Sequence, residues 1–508
     1  MKKFLVLVLA IIMLLSTFVA CDSGSDKNDP AGSSSTPSTN NSSSNNTPTA
    51  TPAQIGNLDP SINLGGKEIN IISSGHPWMA DEVWVEKENA EPINDAIYNR
   101  NKNVEKTLSI KIKNTLMPIS NQWDDYVVIE EIKKTNGPDC PYHIAANSAY
   151  TSFENTHNGY FRNLLDVAHI DLSQDYWAPY FNPEASIGNQ QYFATGSISL
   201  SLRRFIFVTF FNKDLAIDYN LEDLYDVVDE GRWTLDYQAE IISNMFSEVD
   251  NVSGATEGDM YGFLTDDGIY VDAYIASCDI DILVKDSDDY YVLAPEKEKA
   301  DSMMSKIYNL YWKSGATYVF GRKADYSQFD KIREKFASNE ATMITDRLIA
   351  AESEQLKNMD ASYGILPIPK FDVAQKEYYS LAHDLFTVYG IINSEATDKM
   401  VDDLGAVLEC LAIESERTVK DAYFEVALKG KYSKDKQSWE MLDMIAKNLK
   451  INGGLIYTIK INDITQQFRN AVRDKKRNTE TIFSAQKQVL LNTYLTRMLV
   501  EIKKLQEG

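Results

Sequence analysis

Histidine and cysteine are scarce in this sequence, with five of the former and four of the latter in 508 residues. Cys21, Cys140, Cys278 and Cys410 lie far apart, which excludes a disulfide framework and a zinc site built on paired cysteines; the last three are expected to be separate buried thiols. His76, His143, His157, His169 and His383 show no metal-ligand spacing either, so no metal or other cofactor is called for. Positive charge is in deficit as well. The 50 basic against 74 acidic side chains leave a formal charge of −24, which argues against a nucleic-acid partner. It argues equally against a polyanionic ligand, unless a local basic pocket overrides the average, and a mostly neutral ligand fits best. Catalytic signatures are missing too: there is no G-x-S-x-G elbow, no H-E-x-x-H and no G-x-x-x-x-G-K-[ST] loop. Carboxylate pairs such as Asp124-Asp125, Asp266-Asp267 and Asp402-Asp403 occur, but in so acidic a chain they read first as solvated surface. A glycosidase would need two carboxyls brought together by the fold. Nothing in the sequence asks for an enzyme.

Long apolar runs are absent except at the N-terminus, where Lys2-Lys3 precede a Leu/Val/Ile-rich run from Phe4 to Leu15 and then Phe18-Val19-Ala20-Cys21. That order of charged, apolar and small residues is the order of an export signal, and its apolar part is short of the roughly 20 residues a bilayer span needs. A signal peptide over residues 1–20 is therefore expected, and no integral membrane segment. The small residue before Cys21 resembles the lipobox of bacterial lipoproteins, which implies that Cys21 is diacylated and becomes the mature N-terminus on the extracellular face of the cell membrane. Residues 21–60 are dominated by Ser, Thr, Asn, Pro and Gly, a composition that cannot bury a core and reads as a disordered tether.

Roughly 440 residues follow, more than one hydrophobic core usually serves, so two lobes are expected. "GKEINIISSG" reads as a short strand, with Ile69, Ile71 and Ile72, that ends in small residues ahead of His76 and Trp78. "EPINDAIYNRNKNVEKTL" carries a helical stripe of Ile93, Ile97, Val104 and Leu108, and "SIKIKNTLM" a second strand. A helix near "NQWDDYVVIEEIKKTNG" leads to "YHIAANSAY", a third strand. This β-α-β-α-β rhythm points to an α/β lobe with a largely parallel sheet. Tyr192 to Phe211 is a long run rich in β-formers that could carry the chain between lobes. Thr234 stands as a helix N-cap, with Trp233 beside it expected to pack the helix start. The final 90 or so residues read mainly as helices.

Aromatic side chains are plentiful, 28 Tyr and 7 Trp, and such rings can stack on sugar faces or aromatic ligands. "SSGHPW", "ANSAY" and "TDDGIYVDAY" each put aromatic and polar residues where a strand hands over to its loop, the usual place for a ligand in open α/β sheets. Ordinary turn chemistry favours the same Ser, Asn, Asp and Gly.

"FFNKDL", "RWTLD", "NEATM" and "YGILPIPK", with longer stretches around them, resemble the extracellular solute-binding proteins of ABC importers, in the carbohydrate-uptake group that includes maltose-binding protein. The resemblance runs from about residue 66 onward. It implies an α/β, two-lobe, type II periplasmic-binding-protein-like fold: residues 66–195 and 371–415 in the first lobe, 196–370 and 416–508 in the second. The hinge would fall near Ser197 to Phe207 and again near Phe371. It further implies a monomer that binds one solute, an oligosaccharide, by closure of the lobes and delivers it to ABC permease subunits. Carried over by position, the ligand-binding residues would be His76 and Trp78 after the first strand and Asn147, Ser148 and Tyr150 after the third. Asp267 and Tyr270 come from "DDGIY", Asp346 and Arg347 from "MITDRL", and His383 and Asp384 from the return to the first lobe. A receptor for a peptide or another polar metabolite remains the alternative, and an anchored glycan-active enzyme a further one.

Overall fold

In the first lobe, β1 (Lys67–Ser74) is flanked by two parallel partners and buried on both faces from Ile69 onward, as a central strand must be. A computed structural model describes residues 58–119, 126–249, 252–394, 397–424 and 436–507. The expected signal peptide, Cys21, Asp124-Asp125 and nearly all of the segment expected to be a tether lie outside the described residues. Leu58, at the tether's end, is buried among first-lobe side chains, so packing begins slightly before residue 60.

The expected helix α1 (Pro92–Leu108) starts with Pro at its first turn and Glu91 accepting from the Asn94 N–H (2.8 Å), and it buries Ile93, Ile97, Val104 and Leu108. Edge strand β2 (Ile110–Met117) opens in strict alternation, Ile110 and Ile112 in, Lys111 and Lys113 out. Next come α2 (Val127–Thr135), β3 (Ile144–Ser148) and α3 (Ala149–Glu154).

The β-rich run from Tyr192 to Phe211 is not one extended crossing. Ala194 still bridges Tyr389 in the first lobe, a short helix α4 (Leu200–Arg204) interrupts the run, and β4 (Phe207–Asn212) opens the second lobe. The buried carboxylate of Glu82 explains the interruption. It accepts from the Ser201 N–H at 2.7 Å and the Ser201 hydroxyl at 2.9 Å, satisfying a helix-start donor that local β-propensity ignores.

The second sheet takes the order β10-β4-β9-β5-β8, formed by β5 (Tyr261–Asp266), β8 (Thr317–Phe320), β9 (Ala341–Arg347) and β10 (Tyr363–Leu366), with a β6/β7 hairpin (Leu283–Lys285, Tyr291–Leu293) outside it. Helix α5 (Ser327–Ala337) precedes β9. The chain then returns to β11 (Thr387–Ile391), antiparallel to β3, completing a first sheet of order β11-β3-β1-β2. Helix α6 (Asp398–Arg417) follows, and its Leu404, Val407 and Leu411 join Val104 and Leu108 of α1 in one apolar cluster. The C-terminal part is helical, including α7 (Ile464–Arg473) and α8 (Ala485–Glu507).

The return crossing lies further along than Phe371. Lys370 still bonds the Trp233 carbonyl through its N–H (3.2 Å), Gln375 donates to Ser277 O (2.8 Å), and the Phe371 ring lies under Lys306. These contacts hold the segment to the second lobe. The two strands of chain cross together at Phe205–Phe207 and Leu381–His383, where Phe207 N–H donates to Leu381 O (2.8 Å) and His383 N–H to Phe205 O (2.9 Å). Trp233 packs as expected, fully buried with its indole N–H on Pro367 O (2.8 Å), and the Thr234 side chain caps the following helix. Cys278 and Cys410 are buried thiols; Cys140 is half-buried.

Candidate functional site

Where the two sheets face each other across the crossing segments, a cavity of about 290 Å³ opens, with walls from both lobes. The first wall begins at the end of β1. Gly75 N–H donates to Met117 O, and a Cβ at Gly75 would stand 2.6 Å from that carbonyl oxygen, so only glycine lets the chain turn there and present His76 and Trp78. Tyr150 enters from the start of α3. Its N–H bonds Asp384 O and the Ala149 N–H bonds Phe386 O, both at 2.9 Å, which fastens Tyr150 beside the return crossing that supplies His383 and Asp384.

The opposite wall comes from strand ends and helices of the second lobe. Arg347 closes β9, in register with Phe207 of β4. Phe329 of α5 lies between two stacked rings, Tyr326 at 5.6 Å and Tyr270 at 5.1 Å between centroids. Arg322 follows β8, and Gln466 and Arg469 project from α7. The Arg347 guanidinium lies 5.1 Å from the Trp78 ring and 5.0 Å from Phe329, so it joins the two walls by cation–π contact.

Burial and this arginine set the charge state of the histidines. His76 accepts the Trp78 N–H at Nδ1 (3.4 Å), and burial, with Arg347 nearby, pulls its pKa down to about 4. His383 is pushed well below the usual range by burial first, then by Arg347, Arg469 and His76. Both rings are neutral at pH 7. Burial, followed by Asp463 and Asp384, raises the Tyr150 phenol above its ordinary value, keeping it a hydroxyl. Arg469 is held by Asp272, with Nε to Oδ1 at 2.9 Å.

Six of the eleven residues expected to bind ligand line this cavity: His76, Trp78, Tyr150, Arg347, His383 and Asp384. The other five stand behind the walls. Asn147 and Ser148 are buried and bonded to Thr151 (2.8 and 2.9 Å), which positions α3. Asp267 pairs with Arg473 (3.3 Å), Asp346 holds Arg333 (2.8 Å), and Tyr270 is fully buried with its ring on Phe329. Arg322, Tyr326, Phe329 and Arg469 line the cavity and were not anticipated. The loop "GRKADYSQF" follows a strand just as "SSGHPW" does, so the strand-end rule applied to "ATYVF" would have found the first three. Arg469 had no such signal, being one arginine in the C-terminal helices.

The candidate carboxylate pairs are engaged in structure. Asp266 accepts the Tyr270 N–H (3.1 Å) and is raised by burial to about 6. Asp403 pairs with Lys67 and Lys399, and Asp402 accepts the Ala168 N–H. Among the described residues, no cluster of His, Cys, Asp and Glu could hold a metal ion, and no helix is long and apolar enough to cross a membrane.

No family model matches the sequence, and no curated protein matches it. Solved structures do match. The cyclic alpha-maltosyl-1,6-maltose binding protein of Arthrobacter globiformis superposes with a TM-score of 0.55 at 11% identity, covering 87% of this chain and 100% of that one. The uncharacterized protein lmo0859 of Listeria monocytogenes gives 0.55 at 12%, covering 84% and 99%. A family 1 extracellular solute-binding protein of Bifidobacterium longum subsp. infantis gives 0.51 at 14%, covering 85% and 100%. The chain has the two-lobe, type II periplasmic-binding-protein-like fold. In this fold the cavity described above occupies the cleft between lobes, and the paired segments Phe205–Phe207 and Leu381–His383 are the crossings that join them.

Proposed function

We propose that the protein is an extracellular solute-binding receptor that captures an oligosaccharide in the inter-lobe cleft and hands it to an ABC permease. The observation that carries this reading is a cavity walled by both lobes, in which the half-buried rings of Trp78 on one side and of Tyr326, backed by Phe329, on the other offer flat apolar faces beside fixed polar groups. Sugars present such alternation of apolar face and hydroxyl edge. A ligand touching both walls stabilises the closed arrangement over the open one, since only the closed arrangement offers both sets of contacts. The relative from Arthrobacter is named for an oligosaccharide ligand, which supports the same class.

The crossings form the hinge in this reading, and the resting position of the chain on the cell surface is a lipid at Cys21, with the Ser/Thr/Asn/Pro tether giving it reach toward the permease. Calorimetry and tryptophan fluorescence across a broad oligosaccharide panel test the cargo. A saturable response that falls with Trp78→Ala is expected, and silence across the panel would refute the carbohydrate assignment. The anchor is tested separately. Wild-type protein expressed in a bacterial host should fractionate with membranes and Cys21→Ala should be released after signal cleavage.

A further inference from the structure

Among the arginines in or just behind the cleft wall and the adjoining crossing, Arg204, Arg333 and Arg469 use the same edge of the guanidinium in the same way. Arg204 gives Nε and Nη2 to the two carboxylate oxygens of Glu352, both at 3.1 Å. Arg333 gives Nε and Nη2 to Asp346, at 2.8 and 3.3 Å. Arg469 gives the same two nitrogens to Asp272. Arg347 is the exception. It is 1% exposed, it lines the cavity, and its Nε and Nη2 have no hydrogen-bond partner.

No neighbouring carboxylate can fill that edge without abandoning another duty. Asp346 comes only within 3.7 Å of Arg347 Nε, because its oxygens already accept from Arg333 and from the backbone N–H of Arg347 itself (2.7 Å). Asp266 is turned to the Tyr270 N–H and to Gln328. His76 and His383, both neutral, face the same guanidinium and offer no anion. The remaining surroundings are the rings of Trp78, Phe205 and Phe329 at 5.0 to 5.9 Å, together with the Tyr270 phenol and the Arg333 guanidinium, neither of which is an anion at neutral pH. A planar fork with two parallel donors in apolar surroundings is built for a planar oxyanion with two oxygens. Leaving a buried guanidinium without one is costly.

We propose that the solute is an acidic oligosaccharide, and that Arg347 takes the carboxylate of a uronic-acid residue on its Nε/Nη2 edge. The proposal rests on the receptor reading above and narrows its substrate class. Of the three rings around the guanidinium, Trp78 belongs to the first lobe, so parting of the lobes uncovers the arginine and closure seals the carboxylate against it, with the sugar ring between Trp78 and the Tyr326–Phe329 stack. The local positive site accounts for an acidic solute in a chain of net charge −24.

The test uses the purified full chain and uronic-acid oligosaccharides (oligogalacturonides, alginate oligomers, glucuronic-acid-bearing xylo-oligosaccharides), each as the free acid and as its methyl ester. Calorimetry should show at least one acid binding on the order of 30-fold or more tighter than its ester, the scale of a buried charge pair losing one partner. Arg347→Gln should abolish the difference and Arg347→Lys should keep part of it; the acid/ester comparison on wild-type protein stands even if a variant fails to fold. If esters or neutral oligosaccharides bind as tightly as the acids, the carboxylate assignment is overturned and the receptor reading survives. If no saccharide of either kind binds while another small molecule is retained through gentle purification, the carbohydrate reading falls with it.

Discussion

Glu82 and Arg347 are both buried charges at the junction of the lobes, and they are treated in opposite ways. Glu82 is fully buried, and its carboxylate accepts from the Ser201 N–H, the Ser201 hydroxyl and the Thr387 hydroxyl, tying first-lobe chain to α4 and to the start of β11. Arg204 lies near enough to favour its charge, although burial still raises its pKa. Arg347 is buried to nearly the same degree and keeps two donors unused. A satisfied buried charge fixes geometry, whereas one with unused donors beside a cavity is available to something from outside the chain once the cavity opens.

That contrast can be broken experimentally, and the largest effect is expected at Glu82. Glu82→Ala strands the Ser201 and Thr387 donors in the crossing and should cost about 3–5 kcal/mol in chemical denaturation; a cost below about 1 kcal/mol would mean the crossing does not depend on it.

The next effect is a pH dependence at His76. Its pKa is about 4 in the folded protein against 6.5 for the free side chain. As pH falls from 6.5 toward 4 the unfolded chain takes up a proton that the folded chain refuses, so stability is lost, by up to about 3 kcal/mol at pH 4. Asp266, raised to about 6, works in the opposite sense, its contribution being lost as pH rises through 6. The observable is therefore the difference between wild type and His76→Gln, which should shift against wild type on acidification, with an imidazole NMR midpoint near 4. A midpoint near 6.5 would place the ring in solvent.

Trp78→Ala should weaken solute binding by about tenfold, the loss of one aromatic platform, with a smaller change in melting temperature. Arg347→Met is expected to do least to the empty protein. Removing a buried charge that makes no hydrogen bond at Nε or Nη2 and only a 3.7 Å ion pair with Asp346 should leave stability within about 1 kcal/mol of wild type or raise it. Destabilisation as large as that of Glu82→Ala would erase the distinction between the two charges.

Much of the architecture was legible because it rests on short-range patterns. The stripe of α1, the alternation of β2 and the cap at Thr234 follow from helix and strand periods that hold wherever the segment lies. That His76, Trp78 and Tyr150 line the cavity was legible for a related reason, since residues at strand ends in open sheets border the cleft. Asn147, Asp267 and Asp346 are polar residues at similar strand-end positions, yet their side chains bond Thr151, Arg473 and Arg333. Whether a polar group meets ligand or protein depends on what stands opposite, and that partner can be far away in sequence.

The sequence by itself determined the local elements, the two-lobe rhythm, the scarcity of metal-binding side chains and the overall negative charge, because composition and periodicity act over a few residues. Only the tertiary structure decided where the chain crosses, since buried donors at Ser201 required the carboxylate of Glu82 and broke a run of β-formers. It also decided which of the arginines around the cleft keeps its Nε/Nη2 edge without a hydrogen bond. The end of "MITDRL" marked Arg347 out, but nothing in the sequence tells that Arg204, Arg333 and Arg469 meet a carboxylate with both Nε and Nη2 while Arg347 keeps that edge without a hydrogen bond beside the cavity.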